Sequence, residues 1–281
     1  MPHRLLIAFV FCCLLMSFGG EGAFAQLLLP ATVSGSQRNT IKPSGVHVSV
    51  FTATHEAVIG RPLHLNGISG TIELSKTGNA LVLSKFILAG HRISRPGDQC
   101  QVEIMSKSPL QLSEAGRSNG VLSYESKMPV CSFSLDILQG ALMLKTAANL
   151  CSFVDADCNT RPDGMWGPSP AAISPAQIQA DVHARTLAET SLRSSFRQLM
   201  DHQKDAVIIR TLASEQAAFS SQREEMCRDY MREDRHGFCA ARFTEHKLTQ
   251  IHHRLSLNPA LQKPSAPLHS KSVNNAPLQL N

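Results

Sequence analysis

Residues 169–177 read Ser169-Pro170-Ala171-Ala172-Ile173-Ser174-Pro175-Ala176-Gln177, and here the chain changes its period. Ser169-Pro170 breaks whatever precedes it. Ser174 then stands as an N-cap, Pro175 occupies the first helical position, and Gln177 follows three residues after the cap, which are the parts of a capping box. Upstream, apolar residues come in short or alternating runs cut by turn residues. Downstream, they recur at helical spacing. The pattern predicts an α+β chain: a small all-β unit, sandwich- or barrel-like, over 46–168, followed by an α-helical hairpin over 174–255.

The upstream half carries the strand signals. Thr71-Ile72-Glu73-Leu74-Ser75 alternates, Lys76-Thr77-Gly78-Asn79 is a turn, and Ala80-Leu81-Val82-Leu83 resumes, so a hairpin is expected. Further runs are Gln101–Ile104, Val121–Tyr124 and Phe133–Leu144, separated by Arg95-Pro96-Gly97-Asp98 and by Gly116-Arg117-Ser118-Asn119-Gly120. A unit of about 100 residues encloses a modest core, and disulfides would support it. Downstream, Leu192, Phe196 and Leu199 share a stripe. Leu212, Phe219 and Met226 repeat every seven residues, with Tyr230 four further on. A turn is expected near Arg235-His236-Gly237, after which Cys239, Phe243, Leu248, Ile251 and Leu255 form another stripe. Amphipathic helices of this kind need partners, and the short break makes the last two antiparallel neighbours.

The start of the chain reads as an export signal. Arg4 precedes an apolar run from Leu5 to Phe18, and Ala23-Phe24-Ala25 is a small-residue cleavage site. Residues 1–25 are predicted to be a cleavable signal peptide, being too short and wrongly flanked for a membrane span. Phe11 before Cys12, and Phe9 and Val10 three residues before Cys12 and Cys13, do not fit a lipid-attachment signal. Residues 26–45 read as a flexible lead-in and 256–281 as a disordered tail. The expected location is periplasmic or secreted, with no membrane span after cleavage.

Cysteine usage agrees with that location. Beyond the signal peptide the chain has Cys100, Cys131, Cys151, Cys158, Cys227 and Cys239. An even set in an exported chain implies disulfides, although six cysteines allow fifteen connectivities. Loop spacing suggests Cys100–Cys131, Cys151–Cys158 and Cys227–Cys239. The formal charge of +5 is spread among acids along the chain. Nucleic-acid binding calls for a clustered basic face, so no nucleic-acid partner is expected.

The stretch Gln216-Ala217-Ala218-Phe219-Ser220-Ser221-Gln222-Arg223-Glu224-Glu225-Met226-Cys227 resembles the helical domain named after the lysozyme inhibitor LprI. That family keeps Gln, Trp three residues on, Arg four later with an acid beside it, and Cys four after the Arg. Gln216, Phe219, Arg223, Glu224 and Cys227 hold those places, and Cys239, Phe243, Thr244, Lys247 and Ile251 look like the second half of the pattern. Phe219 stands where Trp is usual, Glu224 where Asp is usual, and Lys247 where Arg is usual. The last change loses a bidentate fork. The resemblance covers roughly Leu212–Leu255, and the β unit resembles no family of known activity.

What the resemblance implies is binding rather than catalysis: a lysozyme or another cell-wall enzyme as partner, with no cofactor and no metal. Animal lysozymes are basic, and their inhibitors gain on-rate from acidic surfaces. This chain is net basic. Glu224, Glu225, Asp229, Glu233 and Asp234 are its local acidic run, which also reads as a solvated helix end. The alternative is a structural or assembly factor of the envelope acting through helix pairing.

No catalytic constellation stands out. Lys76-Thr77-Gly78 copies a triad of penicillin-interacting enzymes, but no Ser-x-x-Lys accompanies it. Asp155-Ala156-Asp157-Cys158-Asn159 imitates the start of a calcium loop. Thr160 stands where that loop needs Gly and Trp166 where it needs Glu, so a polar disulfide loop is expected. His236, His246, His252 and His253 lack zinc-ligand spacing and read as surface histidines beside Lys247 and Arg254.

Overall fold

The computed structural model of the chain describes residues 53–104, 108–117 and 119–257. The expected signal peptide and lead-in, the first residues of the β unit and the tail from 258 onward lie outside the described residues. The strands are β1 (Leu63–Leu65), β2 (Ser69–Thr77), β3 (Ala80–Arg92), β4 (Gln99–Glu103), β5 (Leu110–Gln111), β6 (Ser113–Gly116), β7 (Ser123–Ser126), β8 (Phe133–Leu138), β9 (Ala141–Thr146), β10 (Cys151–Phe153), β11 (Cys158–Thr160) and β12 (Gly164–Gly167). The helices are α1 (Pro175–Asp201), α2 (Ala206–Cys227), α3 (Glu233–His236) and α4 (Phe238–Ser256). The chain is α+β, with strands first and helices after.

The hairpin of β2 and β3 turns on two residues, since Thr77 pairs with Ala80. Gly78 takes φ +60° there, at the position where mirror-image hairpin turns demand glycine. Lys76-Thr77-Gly78 is therefore the approach to this turn. β3 is much longer than its legible run, Ala80–Leu83, because its alternation changes phase. Leu81 and Leu83 are buried, then Phe86 and Leu88. A bulge explains the change: Glu73 pairs with Lys85 and Leu74 with Leu83, so Ser84 is the extra residue. Its hydroxyl donates to the Glu73 carbonyl at 3.2 Å.

The strands form one antiparallel sheet in the order β10-β11-β3-β2-β1-β12-β9-β8-β7-β6, with β4 and β5 also on β3. Its two ends, β10 and β6, are not paired with each other, so the sheet is not closed. It is strongly curled all the same. β3 and β8 stand third and eighth along that path, which is about 24 Å apart in a flat sheet. Yet Phe86 of β3 and Phe133 of β8 have ring centroids 5.4 Å apart, edge to face. The curl encloses one core around Ile72, Leu83, Phe86, Leu135, Leu142 and Trp166. The Trp166 indole donates to the Pro162 carbonyl at 2.8 Å, so this large ring is buried without an orphaned donor.

The outer face of β8, β9 and β12 is covered by the helices. Leu142 and Leu144 point into the first core, while Ala141 and Met143 face Tyr230, Phe238 and the Cys227–Cys239 pair in a second. Burial on both faces removes the polar alternation, which is why this stretch reads as a continuous apolar run. A third core, among α1, α2 and α4, holds Leu192, Phe196, Leu212, Phe219, Leu248 and Ile251. Ser174 caps α1 as expected, accepting from the Gln177 N–H at 3.2 Å. The helical stretch breaks at 202–205, where Asp205 accepts from the Val207 N–H and starts α2.

Two of the three suggested cystine pairings are corrected. The disulfides are Cys100–Cys158, Cys131–Cys151 and Cys227–Cys239. Sheet register, rather than loop length, sets the first two. β4 and β11 both pair with the end of β3, through Gly90–Cys100 and Arg92–Cys158. Cys131 precedes β8 and Cys151 follows β9, so the β8–β9 hairpin brings them together.

Candidate functional site

A cleft of about 490 Å³ opens where α1 and α4 meet the sheet. Val121, Leu122, Ile137 and Leu138 supply its apolar wall, and Asp181, Arg242, Glu245 and His246 its polar one. Its size is that of a small-ligand pocket. Helical geometry places the polar groups. Arg242, Glu245, His246 and Thr249 are spaced three, four and seven apart, on one face of α4. The N-terminus of α4 is held by Glu233, whose carboxylate accepts from the Cys239 and Ala240 N–H groups at 3.1 and 2.8 Å.

Charge at the cleft is buried and shared. Arg242 reaches Asp181 with one guanidinium nitrogen and donates to Glu245 with another at 2.6 Å. Gln177 donates to Asp181 at 2.8 Å, and the Arg242 guanidinium lies 5.3 Å from the centre of the Phe238 ring. Burial raises the Asp181 and Glu245 carboxyls above their usual range, although Arg242 pulls both down.

Beside this group, Asp136 of β8 accepts from Ser123 at 2.5 Å and from His246 Nε2 at 3.0 Å. Burial works against its charged form, but these two donors outweigh burial and hold it below the usual carboxylate range. The carboxylate stands between serine and histidine. Nucleophilic catalysis would need the histidine next to the hydroxyl, so this chain of contacts ties α4 to the sheet rather than activating Ser123.

The residues that carry the resemblance lie elsewhere, along the contacts of α2 with α1 and α4. Phe219 is buried and stacked on Phe243 with centroids 6.0 Å apart. Arg223 covers the Phe219 ring at 5.4 Å and pairs with Glu189 of α1. Lys247 pairs with Glu215 at 2.7 Å, and Cys227 is bonded to Cys239. Gln216 lines a small hollow with Glu189 and Arg223, and Glu224 is exposed. Phe219, Arg223, Lys247 and the Cys227–Cys239 bridge thus brace the helices.

Of the acidic run, Glu225, Asp229 and Asp234 are also exposed. Glu233 turns inward to cap α4. In the loop at 155–159, Asp157 accepts from the Ser94 N–H and hydroxyl at 2.8 and 2.6 Å, and Cys158 is bridged to Cys100. The histidines are not a surface cluster. His236 is buried and donates to the Met231 carbonyl at 2.8 Å, His246 is buried against Asp136, and His252 sits 3.2 Å from Ser195 Oγ.

Sequence reasoning missed Asp181, Arg242, Glu245, Asp136 and Ser123. A signal existed for Asp181, which stands on the apolar stripe of α1 that continues through Ala188, Leu192 and Leu199. An acid on a buried stripe needs a partner. Neither a known protein family, nor a curated protein, nor a solved structure matches the chain.

Proposed function

We propose that the protein is an exported, non-catalytic binding protein that blocks or modulates a cell-wall enzyme, a lysozyme being the partner implied by the helical motif. The observation that supports this reading is the preformed cleft. Its walls are a disulfide-linked sheet and helices, and its polar groups hold one another in place, which favours recognition over turnover. Three intramolecular disulfides fit an oxidising location, periplasmic or secreted, after removal of residues 1–25. Among the described residues no helix is long and apolar enough to cross a membrane. In this reading the curled sheet is a barrel-like scaffold, and α2 with α4 is a disulfide-braced hairpin.

The test is inhibition of chicken-type, goose-type and phage-type lysozymes by the oxidised protein. Inhibition that disappears on reduction supports the reading, and well-folded protein that inhibits none of them refutes the lysozyme partner. A second reading, an assembly factor of the envelope, is favoured by apolar side chains left on the helix surfaces. These are Val182 and Leu187 of α1, and Val207 and Ile208 of α2. It predicts capture of an envelope protein, or self-association, that polar substitution of Leu187 and Val207 abolishes.

A further inference from the structure

We propose that the cleft between α1, α4 and β8 is a binding site for a small organic cation, an alkylammonium or a guanidinium. This deepens the preceding reading by naming the chemistry that the cleft takes. The argument rests on charge. Asp181 and Glu245 are 1% and 5% exposed and share one guanidinium, that of Arg242, itself 4% exposed. One buried acid is therefore in excess. His246 does not cancel it, being bonded to Asp136. From α3, His236 acts on Asp181 at longer range but is held by the Met231 carbonyl and lies beside Glu233. Arg117 lines the cleft and is exposed, so solvent screens it.

A second observation points the same way. Asp181 lines the cleft with Oδ1 engaged by Gln177 and Arg242, while its Oδ2 has no hydrogen-bond partner among the described residues. A buried carboxylate without a countercharge has two outlets, a proton or a cation. A cation entering the cleft supplies the missing countercharge, whereas an anion would meet two carboxylates and a neutral ligand would bring no charge.

The experiment is calorimetric titration of the oxidised protein with putrescine and with L-arginine, using 1,4-butanediol as the neutral counterpart of putrescine. It is run at neutral pH in phosphate, which contributes no organic cation. The expected result is saturable binding of the cations alone. Asp181→Asn should weaken it by about tenfold or more. Ala184→Trp fills the cleft and leaves the three charges in place, so it should also abolish binding. It decides the matter if Asp181→Asn does not fold. No saturable binding to the wild-type protein overturns the proposal. So does equal binding of butanediol, or wild-type binding by Ala184→Trp. Lysozyme inhibition without putrescine binding would overturn only this site, whereas putrescine binding without inhibition would overturn only the enzyme partner.

Discussion

Replacing Arg242 with methionine removes the one cation between Asp181 and Glu245. The aliphatic stem is kept, but the guanidinium that lies over Phe238 goes with the charge. Two buried carboxyls are then left without a countercharge, and breaking a buried pair this way costs about 3–5 kcal/mol. For a folded unit of this size that is a fall in melting temperature of roughly 6–20 °C. The pH dependence gives the test its discrimination. Both carboxyls already lie above their usual range through burial, and loss of Arg242 raises them further. An acid whose folded value is raised costs stability as pH rises through that value, and the cost disappears in acid where the group is protonated in both states. The deficit of Arg242→Met relative to wild type should therefore be largest near neutrality and shrink as pH falls toward the ordinary carboxylate range. Urea unfolding of oxidised protein at a series of pH values measures it directly. A loss under about 1 kcal/mol at neutral pH, or a deficit that grows on acidification, would refute the charge accounting at the cleft.

Asp136 should behave with the opposite sign. Its folded value is depressed by His246 and Ser123, so its contribution is present above the unfolded value and fades as pH falls through the folded one. Asp136→Asn should thus cost stability at neutral pH and flatten the acid limb of the stability profile. Peptide mapping of the non-reduced protein should recover Cys100 linked to Cys158 and Cys131 linked to Cys151, and Cys100→Ala with Cys158→Ala should cost about 2–4 kcal/mol in thermal unfolding. Phe219→Ala should cost about 3–5 kcal/mol, because it removes the ring between Phe243 and Arg223, while Glu224→Ala on the exposed side of the same helix should stay within about 0.5 kcal/mol.

Local chemistry was legible in the sequence because it is decided by near neighbours. Ser174-Pro175-Ala176-Gln177 starts α1, Gly78 turns the hairpin of β2 and β3, and Cys227 and Cys239, 12 residues apart, close over the break between α2 and α4. In each case the physics acts over a short stretch of chain, so residue order is enough. The strand–helix division at residues 169–174 follows from a change in hydrophobic period, which is also a local property. Tertiary structure decided the rest. Ser84 reads as one more polar residue until pairing with β2 makes it a bulge, and only then do Leu81, Leu83, Phe86 and Leu88 share a face. Cys100 finds Cys158 because both strands pair with the end of β3, a register that depends on every strand between them. Asp181 and Arg242 are 61 residues apart and meet only because α1 packs along α4. Asp136 and His246 are 110 apart and meet only because the helices lie on the sheet. A buried charge declares itself through the partner that makes its burial tolerable, and that partner is chosen by packing rather than by position in the chain.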